Sequence, residues 1–171
     1  MKLKNIGRLL DRIDEALWED SLNYEVVVVD DGSRDNTAEV VKKYQDSLPL
    51  RYLRHTVNQG LGATIRDGLK YCSKVCGDDD IVVAMDADNS HTPALIRSMV
   101  RGIREGNDVV IASRYRTGAY IRGVPGYRIL LSYAARLLFR LLFPIQGVRD
   151  YTCGYRAYRG KLLKGAFGKY G

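Results

Sequence analysis

Two pairs of carboxylates in this 171-residue sequence sit where carboxylates are costly unless something meets them. Asp30 and Asp31 follow directly on the apolar run 26–29 in "VVVVDDGSRDNT", and Asp86 and Asp88 follow a second run in "IVVAMDADNSH". Oxygens one residue apart in a loop can converge on one hard divalent cation. Mg²⁺ or Mn²⁺ takes such ligands and completes its shell with water and substrate phosphates. A lone D-x-D is common in turns as a solvated or capping pair; beside a second acidic strand end it points to a metal site. His91 lies close enough to Asp88 to be a further ligand, although a loop histidine packed against Pro93 is the commoner arrangement.

These residues need a scaffold, and the hydrophobic pattern supplies one. Leu3, Ile6, Leu9, Leu10, Ile13 and Leu17 recur at helical spacing. The chain then alternates: strand "YEVVVV", helix "NTAEVVKKYQ" capped by Asp35 or Asn36, strand "LRYLRH", helix "GATIRDGLKYC", strand "DIVVAM", helix "PALIRSMVRGIRE" with Pro93 in its first turn, and strand "DVVIAS". Such alternation predicts one α/β domain over residues 1–171, its mainly parallel sheet covered by helices on both faces. The continuous runs "VVVV" and "IVVAM" suit central strands. Ligands of open α/β sheets bind beyond the carboxyl ends of the strands. Asp30 and Asp31, Asp86 and Asp88, and Ser113 and Arg114 all lie at such ends, so the carboxylates belong to the rim of a ligand crevice.

Taken in order, "VVVVDDGSRDNT", "NQGLGATIRDGL", "AMDADNSHTP", "IASRY" and "VRDYTCGYRAYR" resemble the glycosyltransferase family 2 enzymes with a nucleotide-diphospho-sugar-transferase (GT-A) fold. The branch they resemble is the dolichol-phosphate mannosyltransferase-like, polyprenyl-phosphate-using one. The resemblance implies sugar transfer, with inversion, from a nucleotide-diphosphate sugar such as GDP-mannose or UDP-glucose to a polyprenyl or dolichyl phosphate. It places Asp30, Asp31, Gly32, Ser33 and Asp86 at the nucleotide. Asp86 and Asp88 would hold Mg²⁺ or Mn²⁺ and the diphosphate. Arg114, Arg128, Ser132 and Arg156 would meet phosphate on donor and acceptor; arginine's planar fork suits phosphate oxygens. Asp88, Asp150 and Arg156 are the expected catalytic residues. Ser90 stands where some relatives carry a metal-binding Gln. The family's usual first strand is absent ahead of Met1, and the chain stops soon after "CGYR", so the expectation is a catalytic domain truncated at both ends.

Charge and composition narrow the partners. Lys and Arg outnumber Asp and Glu by 27 to 20, a net +7, which suits an anionic partner or a solvated basic surface. No nucleic-acid motif is present, and the arginines sit among apolar residues rather than in a continuous basic patch. Arg128, Ser132, Arg136 and Arg140 recur every four residues within 126–146, "GYRILLSYAARLLFRLLFPIQ". An apolar helix with an arginine stripe suits the interface of an anionic membrane; a core helix with surface arginines fits the pattern equally, and the resemblance favours the interface. No stretch reaches the roughly 20 apolar residues of a membrane span, and no leader peptide is recognisable. Cys72, Cys76 and Cys153 form no disulfide framework, favouring a reducing compartment and hence the cytoplasmic face of a membrane. Gly60 and Gly62 read as a tight turn near the nucleotide; as a dinucleotide fingerprint the stretch fails, because Ile65 occupies the third glycine position. Other readings are a transferase using a sugar hydroxyl acceptor, for which Asp150 would be the base, a nucleotidyltransferase of similar fold, and an inactive nucleotide-binding or basic anion-binding module.

Overall fold

The structure, a computed structural model, describes residues 5–18, 22–112, 150 and 153–170. Helix α1 (Asn5–Trp18) buries Ile6, Leu9, Leu10, Ile13 and Leu17, the apolar stripe of the sequence pattern. The β-branched run gives strand β1 (Val26–Asp30). Helix α2 (Thr37–Gln45) is capped by Asp35, which accepts from the Thr37 N–H and hydroxyl; Asn36 makes no side-chain cap bond. Strand β2 (Leu50–Arg54) leads to helix α3 (Leu61–Val75), entered through Gly60 at φ +89. Strand β3 (Ile81–Ala84) precedes helix α4 (Leu95–Arg104). Pro93 lies in the turn just ahead of α4, its carbonyl accepting from the Ile96 N–H, rather than in the first helical turn. Strands β4 (Val109–Ile111) and β5 (Arg156–Arg159) and helix α5 (Gly160–Tyr170) complete the order.

The strands form two ladders. β1 and β2 are parallel, in register from Val26 opposite Leu50 to Asp30 opposite Arg54. In the other, β5 runs antiparallel between β3 and β4, with Arg156 opposite both Ala84 and Ile111. The architecture is α/β with a parallel pair and flanking helices, as the alternation predicts, and β5 adds an antiparallel strand to it. "RAYR" has no strand signature of its own: half of it is charged. Hydrogen bonds to a neighbour on each edge make it a strand. Among the described residues no ladder joins β1 to β3.

Helix α1 spans the two ladders. Ile6 and Leu10 pack with Val41 against Val26, Val28, Leu50 and Tyr52; Leu9, Ile13 and Leu17 join Ile96, Met99, Ile103, Tyr155 and Ala157 against Ile81, Val83 and Val110. Helices α1, α2 and α4 thus cover one face, while α3 lies against β1 on the other, with Val29 closing on Gly68. β1 and β3 are half-buried apart from Asp30, less covered than their continuous apolar runs predict. Cys72 lies on α3 and Cys76 at its C-terminal cap, both free thiols; burial pushes the Cys72 thiol up to about 11 and raises Cys76 as well, which disfavours the reactive thiolate. No helix among the described residues is long and apolar enough to cross a membrane.

Candidate active site

Asp30 ends β1 and is 4% exposed. Its Oδ1 accepts the Ser33 N–H at 2.9 Å, its Oδ2 accepts the Tyr52 hydroxyl, and Arg54 Nε lies 3.5 Å away. Burial opposes its charge, but bonds from Ser33 and Tyr52 and the Arg54 cation prevail and hold its carboxyl below the usual range. This carboxylate is met within the chain: it fixes the tight turn at Gly32, whose φ is +71. A Cβ on Gly32 would stand 2.8 Å from the Asn58 N and the Val57 carbonyl carbon, so only glycine lets this turn lie against residues 57 and 58.

Asp31 faces the other way. Its Oδ1 accepts the Gln59 N–H at 2.8 Å and meets His55 Nδ1 at 2.7 Å, and its Oδ2 accepts the Gly60 N–H at 2.8 Å. The Gln59 amide foremost, then His55, holds this carboxyl below the usual range. An ionised carboxylate has about four acceptor sites, so about one remains for a ligand. The pair predicted to act together thus divides into an inward Asp30 and an outward Asp31.

Asp86 and Asp88 leave β3 on a loop turned at Asn89, φ +62. The Asp86 side chain is 45% exposed. Asp88 is exposed, and its Oδ1 accepts the Ser90 N–H at 2.8 Å; the Ser90 hydroxyl foremost, and then this amide, keep its carboxyl below the usual range. His91 Nδ1 accepts the Asp86 N–H at 3.2 Å, which puts the ring hydrogen on Nε2, 3.9 Å from Asp86 Oδ2. In that tautomer His91 steadies Asp86 rather than ligating a metal. Its ring stacks on Tyr155 at 4.8 Å between centroids. Tyr155, buried, donates to the Thr92 carbonyl at 2.9 Å. From α1, Arg12 reaches Asn89 and Thr92 at 3.4 Å.

The segment before β5 closes on this loop. A Cβ on Gly154 would lie 3.6 Å from both Asp86 carboxylate oxygens. Because β5 is antiparallel, its first residue, Arg156, stands beside the carboxyl ends of β3 and β4; its Nε donates to the Cys153 carbonyl at 2.6 Å. Asp150 is 1% exposed and accepts the Cys153 N–H at 3.1 Å. The structure therefore brings Asp86 and the 153–156 segment together. Arg114, Arg128, Ser132 and the 126–146 stretch lie outside the described residues.

Among the described residues no three His, Cys, Asp or Glu side chains converge as a complete metal cage. Two accessible carboxylates fit Mg²⁺ or Mn²⁺ nonetheless, because such ions draw the rest of their shell from water and phosphates. Sequence reasoning missed His55, Gly154 and Tyr155. His55 becomes the neighbour of Asp31 only through the register that sets Asp30 opposite Arg54.

Comparison with known proteins decides the family. Glycosyl transferase family 2 matches residues 2–167. The chain belongs to that family. This family 2 chain is 36% identical over 163 residues to a dolichol-phosphate mannosyltransferase of Pyrococcus furiosus, covering 95% of the chain and 44% of the relative. It is 35% identical to a polyprenol monophosphomannose synthase of Mycolicibacterium smegmatis (94% and 59% covered) and 32% identical to an undecaprenyl-phosphate mannosyltransferase of Micrococcus luteus (93% and 61%). The chain thus spans about half the length of these curated relatives. The crystal structure of S. aureus TarS 1-349 superposes with a TM-score of 0.60 over 96% of this chain and 46% of that one, at 23% identity, which is agreement of fold, GT-A in type.

Proposed function

We propose that this chain carries the donor- and metal-binding part of an enzyme that transfers a hexose from a nucleotide-diphosphate sugar to a polyprenyl phosphate, with inversion, at the cytoplasmic face of a membrane. The observation that carries the reading is the meeting of Asp86, Gly154 and Arg156 at the carboxyl ends of β3 and β4, in a family whose similar members are named for polyprenyl-phosphate mannosyl transfer. Asp86 and Asp88 would hold Mg²⁺ or Mn²⁺, which when bound supplies positive charge against the departing nucleoside diphosphate. Asp31 has an acceptor site left for a base N–H or a ribose hydroxyl. His91, held between the Asp86 amide and the Tyr155 ring, keeps the first carboxylate oriented. Arg156 would neutralise phosphate, with Arg114, Arg128 and Ser132 assigned by resemblance to the same task.

The acceptor needs little activation. A phosphate monoester has a second pKa near 6 and is largely ionised at neutral pH, so the reaction rests on alignment and charge rather than on a strong base. The burial of Asp150 supports a role in holding the Cys153 amide over proton abstraction.

Asp88→Asn tests the metal assignment. Asp88 sits on an exposed loop, so its loss should leave thermal stability within about 0.5 kcal/mol of the parent. Calorimetric titration with GDP and with UDP, each with and without Mn²⁺, should give metal-dependent binding of one nucleotide by the parent and roughly tenfold or greater weakening in the variant, the loss of a charged contact. Unchanged metal dependence in Asp88→Asn would overturn the assignment.

A further inference from the structure

The first residue past β2 occupies an unusual position. His55 is clasped between two carboxylates: Nδ1 lies 2.7 Å from Asp31 Oδ1 and Nε2 lies 3.2 Å from Asp67 Oδ2. Its side chain is only 11% exposed. An ionised carboxylate can only accept hydrogen bonds, and both Asp31 and Asp67 are held below the usual carboxylate range. Nδ1 meets Asp31 as a hydrogen bond, and Nε2 lies within ion-pair distance of Asp67 on the other side of the ring. The groups around it come from three elements: Asp31 after β1, Asp67 and its partner Arg66 on α3, and Arg54 on β2, which turns instead to Asp30. The backbone joins in, since the His55 N–H donates to the Asp30 carbonyl at 2.9 Å.

We propose that His55 is a positioning residue for the donor nucleotide: its ring bridges Asp31 to α3 and so helps fix both the remaining acceptor site of Asp31 and the turn through Gln59 and Gly60 that opens α3. The same carboxylate that takes His55 also takes the Gln59 and Gly60 amides, and the turn is wedged against Gly32. Removing the ring leaves Asp31 held by its two backbone donors alone and no longer tied to α3. It also leaves two carboxylates facing one gap with only Arg66 to offset them, and like charges in such a gap repel. The proposal rests on the reading of Asp31 as the nucleotide-contacting carboxylate, and no direct contact between His55 and the nucleotide is required.

The experiment uses the 171-residue chain with GDP and UDP in the presence of Mn²⁺, comparing the parent with His55→Ala, His55→Gln and Val41→Ala. Val41 is fully buried beneath α1, so its truncation destabilises the chain without touching the turn. His55→Ala should weaken the nucleotide that the parent binds by about tenfold, the effect of one hydrogen bond to a charged group. Its Gln59 and Gly60 amides should lose protection against hydrogen exchange. Gln, with one donating end, should recover part of the loss, and Val41→Ala should bind like the parent. Parental affinity in His55→Ala overturns the positioning role while leaving the donor reading intact. Equal weakening in His55→Ala and Val41→Ala overturns it too, since the effect would then be one of stability. A parent that binds neither nucleotide overturns the donor reading, and the proposal with it.

Discussion

Asp30 and Asp31 are chain neighbours with opposite duties, and their surroundings make the difference testable by pH. Each has a carboxyl held below its ordinary value, Asp30 by Ser33, Tyr52 and Arg54 against the cost of burial, Asp31 chiefly by the Gln59 amide. A depressed folded-state pKa stabilises the fold above the unfolded value, about 3.9 for Asp, and that contribution is lost as pH falls through the folded value. Urea unfolding should therefore show no loss from this pair between pH 7 and about pH 5, and a decline below about pH 4. Tyr52→Phe takes one donor from the buried Asp30 and should cost about 1–2 kcal/mol at pH 7 while flattening the acid limb. An acid limb as steep as the parent's would mean that Tyr52 does not help hold that charge.

Among the elements, β5 and its junction with α5 decide where the site forms. β5 carries Arg156 to the ends of β3 and β4, and α5 starts at once with Gly160. The Gly160 N–H donates to the Asp80 carbonyl at 2.7 Å, and a Cβ there would lie 2.1 Å from the Gly77 carbonyl oxygen. Backbone cannot yield as a flexible side chain can. Gly160→Ala should cost about 2–3 kcal/mol, as overpacking does, and shift β5 along with Arg156. Gly165→Ala on the same helix meets nothing within 4 Å and should be neutral or slightly stabilising. Denaturation midpoints of the two variants check this, and equal values would remove the special role of the junction.

For the whole molecule, the excess of seven positive charges and the arginine-striped 126–146 stretch bear on where the protein works. That stretch lies outside the described residues, so its contact with a membrane stands as a proposal carried by sequence. Each cation near an anionic surface contributes ~1 kcal/mol, so Arg136 and Arg140 changed together to Gln should weaken partitioning by roughly thirtyfold. Screening should shrink the difference at high salt. Co-sedimentation with phosphatidylserine-containing vesicles at low and high salt measures it. Equal binding by parent and double variant would place the two arginines away from the lipid surface.

Local pattern was enough for much of this molecule. The apolar stripe of α1, the β-branched runs of β1 and β3, the glycine turn at Gly60 and the D-x-D at Asp86 and Asp88 are written in residues close together in the chain, where propensity and periodicity act directly. The order of the motifs also carried the family. Long-range pairing was not legible in the same way. β5 is a strand because β3 and β4 hydrogen-bond to both its edges, and its own four residues gave no sign of it. Asp30 and Asp31 look alike in sequence, and only the packing of Tyr52 and Arg54 around one and of His55 and the Gln59–Gly60 turn around the other sets their roles. His91 meets Tyr155 across 64 residues because the 153–157 segment lies in the same core as α4. Burial, register and hydrogen-bond partners depend on which distant segments meet, and that is settled only when the whole chain closes on its core.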